Sequence, residues 1–109
     1  MENNTVNMEQ IAMELIGKSG EARSLAFQAL KAAKQQQFEE AASLMKQSES
    51  CSKLAHKVQS RLLFVESEGK KTEISVLLIH AQDHLMNSLL AQELIQELVE
   101  LHQTKADRC

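Results

Sequence analysis

An all-α fold, an antiparallel up-down-up three-helix bundle, is predicted by three observations. The 109-residue chain has no proline and only three glycines, so the residues that tight turns and hairpins need are nearly missing. Apolar residues recur at three- and four-residue spacing through three long stretches, the period of a helix with one buried face. The polar breaks between those stretches are short, which favours antiparallel neighbours.

Residues 1–7 form a polar leader without periodicity and are expected to be disordered. Helix one is predicted over 8–34, carried by Met8, Ile11, Ala12, Leu15, Ile16, Ala22, Leu25, Ala26, Ala29, Leu30 and Ala33. Gly17 and Gly20 lie inside it, each costing about 1 kcal/mol against alanine, so the helix is expected either to bend there or to meet another backbone closely. Gln35-Gln36-Gln37 is placed as the connection to helix two, although no glycine caps helix one and a continuous helix remains an alternative.

Helix two starts at Phe38 and continues through Ala41, Leu44, Met45, Leu54, Ala55, Val58, Leu62 and Val65, with Ser48, Cys51 and Ser52 as small packing residues. Residues 66–71 are polar and contain Gly69. Thr72 followed by Glu73 then reads as an N-cap with an acidic first turn, opening helix three over about 73–103. The single domain spans 8–104, and 105–109 is expected to be a flexible tail.

Composition removes several function classes. Twelve basic against 15 acidic residues leave a net charge of −3, and no basic cluster interleaves with aromatics, so nucleic acid is not an expected partner. Apolar runs such as Val76-Leu77-Leu78-Ile79 fall far short of the roughly 20 residues of a membrane span, so no direct membrane insertion is expected. Cys51 and Cys109 form no CxxC pair, and a small secreted domain would carry more cysteines; a reduced, cytoplasmic chain is expected.

Helix three holds the chemistry-bearing residues, His80-Ala81-Gln82-Asp83-His84 with Asn87 one turn on. At 100° per residue from His80, Leu90, Leu94, Leu98 and Leu101 fall at about 280°, 320°, 0° and 300°, with Asp83 and Asn87 at about 300° and 340°. Asp83 and Asn87 are therefore expected to point inward with the leucines. A buried carboxylate needs a partner, and the helix has no cation between Lys71 and Lys105. Arg23 or Lys31 of helix one, a histidine, a water-filled groove or a metal ion shared between copies would each serve. His80 and His84 stack one turn apart, a spacing that also suits zinc, and the run echoes the H-x-x-E-H metalloprotease pattern with Asp for Glu. No third ligand or substrate cleft accompanies it. An imidazole that is neutral near pH 7 can alternatively accept a phosphoryl group at a ring nitrogen. His56 and His102 have no comparable surroundings.

The run Val76-Leu77-Leu78-Ile79-His80-Ala81-Gln82-Asp83-His84-Leu85-Met86 strongly resembles the lactose/cellobiose family of enzyme IIA components of the bacterial sugar phosphotransferase system. Ser19-Gly20-Glu21-Ala22-Arg23-Ser24, Ala29-Leu30-Lys31-Ala32-Ala33 and Phe38 with Ala41-Ala42 resemble its first two helices, so the likeness covers about 8–103. Ala81 is similar to the cellobiose and diacetylchitobiose branch. The resemblance implies a nine-helix homotrimer of three-helix subunits, a phosphocarrier whose His80 takes a phosphoryl group from HPr and passes it to a cysteine of enzyme IIB, for uptake of cellobiose, lactose or a related disaccharide. It implies that three copies of Asp83 share a divalent cation, magnesium, at the trimer axis, and that Gln82 and His84 lie near the phosphate. Members commonly have an Asn-Gly or Gly-Asp turn where this chain has Gln35-Gln36-Gln37. A reading from another class is a non-catalytic helical adaptor, because Lys34–Ala41 echoes the helix-turn-helix of tetratricopeptide-like modules, although no repeat near 34 residues follows.

Overall fold

Three helices account for nearly all the described residues, 8–69 and 75–108, of the computed structural model: α1 (Met8–Lys34), α2 (Phe38–Ser67) and α3 (Val76–Asp107). The expected leader, the Thr72–Glu73 helix start and Cys109 lie outside the described residues. The rod they form measures 64 × 20 × 19 Å, with α1 packed along both other helices and α2 and α3 touching much less.

Two apolar clusters show the antiparallel order. One joins Ile11 and Leu15 of α1 to Val58 and Leu62 of α2 and Leu78 and Leu85 of α3. The other joins Ala26, Ala29 and Ala33 of α1 to Ala41 and Met45 of α2 and Ile95 and Val99 of α3. The early part of α1 thus meets the late part of α2 and the early part of α3, as an up-down-up path requires. Alanines dominate the second cluster, and their small side chains let the flanking helices come near α1.

Serines lie between the two clusters. Ser19, Ser48 and Ser88 are almost wholly buried. Ser48 Oγ donates to the Ala22 carbonyl at 2.6 Å and Ser88 Oγ to the Ser19 carbonyl at 2.8 Å, so two hydroxyls cross-link neighbouring helices through main-chain acceptors. Ser52 Oγ donates to Gln92 Oε1, tying α2 to α3. These three hydroxyls are tolerated in the interior because each finds a partner, whereas the buried Ser19 Oγ has none among the described residues and only the Ser19 carbonyl is used.

The α1–α2 turn falls at Gln35–Gln37, as the sequence suggests, and shows how a helix ends without glycine. The Gln37 N–H donates to Ala32 O and the Gln36 N–H to Ala33 O, both at 2.9 Å, and Gln36 has φ 62. This is a Schellman motif with glutamine at the left-handed position that glycine favours. The Gln37 carbonyl then accepts from Ala41 N at 3.0 Å and opens α2, whose first turn carries Glu39 and Glu40 at the positive end of the helix. Gly69, at φ 78, takes the left-handed conformation just past α2.

Three expectations about the helices change. α3 opens at Val76 with Ser75 as its N-cap, the Ser75 Oγ accepting from Leu78 N at 3.0 Å. It also continues past Gln103 to Asp107, so Lys105–Asp107, expected in the tail, form a last helical turn; Gln103 Nε2 donating to Asp107 Oδ1 at 3.1 Å braces it. Neither Gly17 nor Gly20 marks a close backbone approach, since a Cβ at either would meet nothing within 4 Å.

Candidate functional site

The face of α3 turned to the bundle is made by Leu78, Ala81, Leu85, Ser88, Ile95 and Val99, all buried. On the same wheel these lie at about 60–160° from His80, whereas the Leu90, Leu94, Leu98 and Leu101 stripe lies at about 280–360°. The stripe therefore faces away from α1 and α2. Leu90 is 55% exposed, Leu94 56%, Leu98 41% and Leu101 62%, and Val76, Ile79 and Met86 extend the exposed apolar surface toward the start of the helix. The alignment of Asp83 and Asn87 with the leucines holds, but both are exposed, and the expectation that they point inward is corrected. A wheel gives the angle between residues; α3 has two apolar faces, and the wheel does not say which one its own chain covers.

Asp83 makes no ion pair or hydrogen bond among the described residues, so neither Arg23 nor Lys31 neutralises it. Arg23 instead lies over the Phe27 ring, 5.8 Å from its centroid. Exposure removes the need for a cation within one chain. No group of three histidine, cysteine or acidic side chains able to hold a metal forms among the described residues, so a single chain offers one carboxylate here and no enclosed metal site.

Polar residues of α3 occupy the two seams between its apolar faces. His80 and His84 lie on one seam, at about 0° and 40°, and Gln82 on the other, at about 200°. His80 is exposed and His84 half-buried. Their Nε2 atoms are 3.1 Å apart, with the rings nearly perpendicular at 83° and centroids 4.5 Å apart. That contact needs one hydrogen between two nitrogens: one ring donates and the other presents its lone pair. Ser75 caps the helix just before this point, and Leu78, Ala81 and Leu85 clamp its inner face, so the histidine pair projects from a rigid turn.

Gln82 is not beside His80. Its Oε1 accepts from Gln59 Nε2 of α2 at 2.7 Å, which fixes α3 against α2 at the level of the histidines. Gln59 carries no signal in the sequence, because its partner lies on another helix. His56 has more company than its sequence neighbours suggest. With Lys53, Lys57, Ser52, Leu89 and Gln92 it lines an α2–α3 groove of about 520 Å³. Cys51 is a free thiol that burial, and then the carboxylate of Glu21, push above its ordinary pKa, against an opposing pull from Lys18. No helix of the described residues is long and apolar enough to cross a membrane.

Comparison with known proteins gives close matches along nearly the whole chain. Residues 10–103 match the family described as PTS system, Lactose/Cellobiose specific IIA subunit. The N,N'-diacetylchitobiose-specific EIIA component of Escherichia coli K12 is 50% identical over 96 residues, which is 88% of this chain and 83% of that protein. The cellobiose-specific enzyme IIA of Bacillus anthracis superposes with a TM-score of 0.93 at 43% identity, covering 97% of both chains. The IIA(Chitobiose) chain solved in complex with HPr, from the N,N'-diacetylchitobiose branch of the Escherichia coli phosphotransferase system, superposes at 0.78 with 48% identity, covering 94% of this chain and 99% of that one.

Proposed function

Because the chain belongs to the lactose/cellobiose-specific IIA family of the sugar phosphotransferase system, we propose that it is a cytoplasmic phosphocarrier working through a phosphohistidine at His80. It takes the phosphoryl group from phospho-HPr and delivers it to a cysteine of the cognate enzyme IIB, which serves uptake and phosphorylation of a disaccharide of the cellobiose, chitobiose or lactose kind. The observation that carries this is an exposed imidazole on a rigid helix, its ring nitrogen 3.1 Å from a second imidazole. A relative of matching fold binds HPr, which supports the same donor for this chain.

In the transfer, a lone pair on a His80 ring nitrogen attacks phosphorus. The N–P bond forms as the bond from phosphorus to the donor breaks, and the donor keeps that electron pair. Delivery to enzyme IIB is the same exchange with the cysteine sulfur as nucleophile. Such transfers need positioning and charge stabilisation more than covalent help from the protein. His84, one turn on, supplies both: in the tautomer with hydrogen on Nε2 it steadies the His80 ring and then donates to a phosphoryl oxygen. Gln82, held by Gln59, acts by keeping α3 in place beside α2.

The exposed leucine stripe supports a homotrimer in which three α3 helices meet along it. Three Asp83 carboxylates would then converge in an apolar seam, where they would repel one another unless neutralised. The unpaired, exposed carboxylate of the single chain fits a cation shared between copies, and magnesium suits an all-oxygen donor set. Such an ion, held by the three Asp83 carboxylates, would supply charge neutralisation to the assembly.

Incubation with phosphoenolpyruvate, enzyme I and HPr should load the chain with acid-labile, base-stable phosphate. His80→Gln should abolish loading while leaving the helices folded, because the side chain is exposed. Phosphate retained in that variant would place the acceptor elsewhere, and an unlabelled wild type would favour the helical adaptor.

A further inference from the structure

Outside the phosphoryl relay, the histidine pair has a second property. Two imidazole nitrogens 3.1 Å apart on successive turns are spaced like cis ligands of one ion, since two Zn–N bonds of about 2.0–2.1 Å at a tetrahedral angle separate their nitrogens by about 3.3 Å. The pair is open to solvent on the His80 side, and rotation about the Cβ–Cγ bonds lets both lone pairs converge. The hydrogen now between the rings moves to Nδ1 of its own ring by exchange with water. We propose that His80 and His84 form a two-nitrogen chelate for a borderline divalent transition metal such as zinc or copper, and that this ion and the phosphoryl group exclude each other.

The ligand type selects the metal: imidazole favours zinc and copper over magnesium or calcium. The described residues bring no third histidine, cysteine or carboxylate to the pair, so water completes the coordination and the ion exchanges readily. Such a site answers to free metal concentration without serving as a structural clamp. The other two histidines lack a second imidazole at helical spacing: one turn either side of His56 stand Ser52 and Ser60, and one turn either side of His102 stand Leu98 and Ala106. The exclusion rests on His80 being the phosphoryl acceptor; the chelate itself does not.

The test is a zinc titration of the tag-free 109-residue chain followed by calorimetry and by ring-nitrogen NMR. Binding should saturate with one ion per chain at this site, and the His80 and His84 ring signals should shift together. His80→Gln and His84→Gln should each weaken zinc binding about tenfold or more, the loss expected when one of two tethered ligands is removed. His56→Gln should bind as the wild type does. Circular dichroism on each variant checks that helix content is kept. Unchanged zinc affinity in either His80→Gln or His84→Gln overturns the chelate. Chain phosphorylated by purified phospho-HPr should bind zinc more weakly than unphosphorylated chain, and equal binding overturns the exclusion. A chain that binds zinc through both histidines but takes no phosphate would sink the phosphocarrier reading and leave the chelate standing.

Discussion

At the scale of single residues, reactivity follows from surroundings that differ over a few ångströms. The His80 ring projects from a capped helix with one nitrogen against His84, whereas the Cys51 thiol sits between α1 and α2 and is pushed toward its protonated form. A raised thiol pKa means less thiolate at neutral pH, so alkylation of Cys51 should be slow and should accelerate as pH rises. Burial is the first cause and Glu21 the second. Glu21→Gln removes the negative charge and the carboxylate acceptor of the S–H, and should lower the pKa and speed alkylation by iodoacetamide at pH 7; an unaltered rate would leave burial as the sole cause. The motif from His80 to His84 was legible in the sequence. The bond from Gln59 to Gln82 was not, because nothing in a linear chain marks two glutamines on different helices as partners.

At the scale of helices, boundaries depend on a few capping groups. α1 stops where its apolar period does, and α2 opens at Phe38 as expected. Gln36 holds the left-handed position of the α1–α2 turn at a cost that glycine would not incur. Gln36→Gly should therefore stabilise the chain by about 0.5–1 kcal/mol, less than the full steric penalty because glycine loses more freedom on folding. Urea denaturation measures this, and a destabilised variant would show that the turn relies on something other than backbone conformation. α3 opens at Val76, later than the predicted start near 73, because the Ser75 hydroxyl caps Leu78 N, a bond that the apolar period does not locate.

For the whole molecule, the instructive feature is a helix with two apolar faces. One packs in the bundle through Leu78, Leu85, Ile95 and Val99; the other, from Val76 to Leu101, is exposed along about 38 Å of helix. In the proposed trimer that second face forms the three-fold seam. Leu94→Glu would place three carboxylates there, and sedimentation should show the assembly reduced to monomers that keep their helices, since Leu94 points away from its own core. An intact trimer would put the interface elsewhere. Asp83→Leu should leave the assembly at least as stable as the wild type and indifferent to EDTA, while chelation should loosen the wild type. Wild-type protein that binds no divalent ion would remove the shared-cation role.

The linear chain by itself determined that three amphipathic helices form, that short polar breaks fold them back on one another, and that the run through His80 marks a lactose/cellobiose-specific IIA chain. These are local properties, set by residue spacing and type. Tertiary structure alone decided which apolar face of α3 the chain covers for itself, and hence that Asp83 and the leucine stripe look outward. It also decided that His80 and His84 share one seam while Gln82 is drawn to Gln59 on the other. The physical reason is that burial is a relation between elements: spacing says which residues share a face, and only packing says what that face meets.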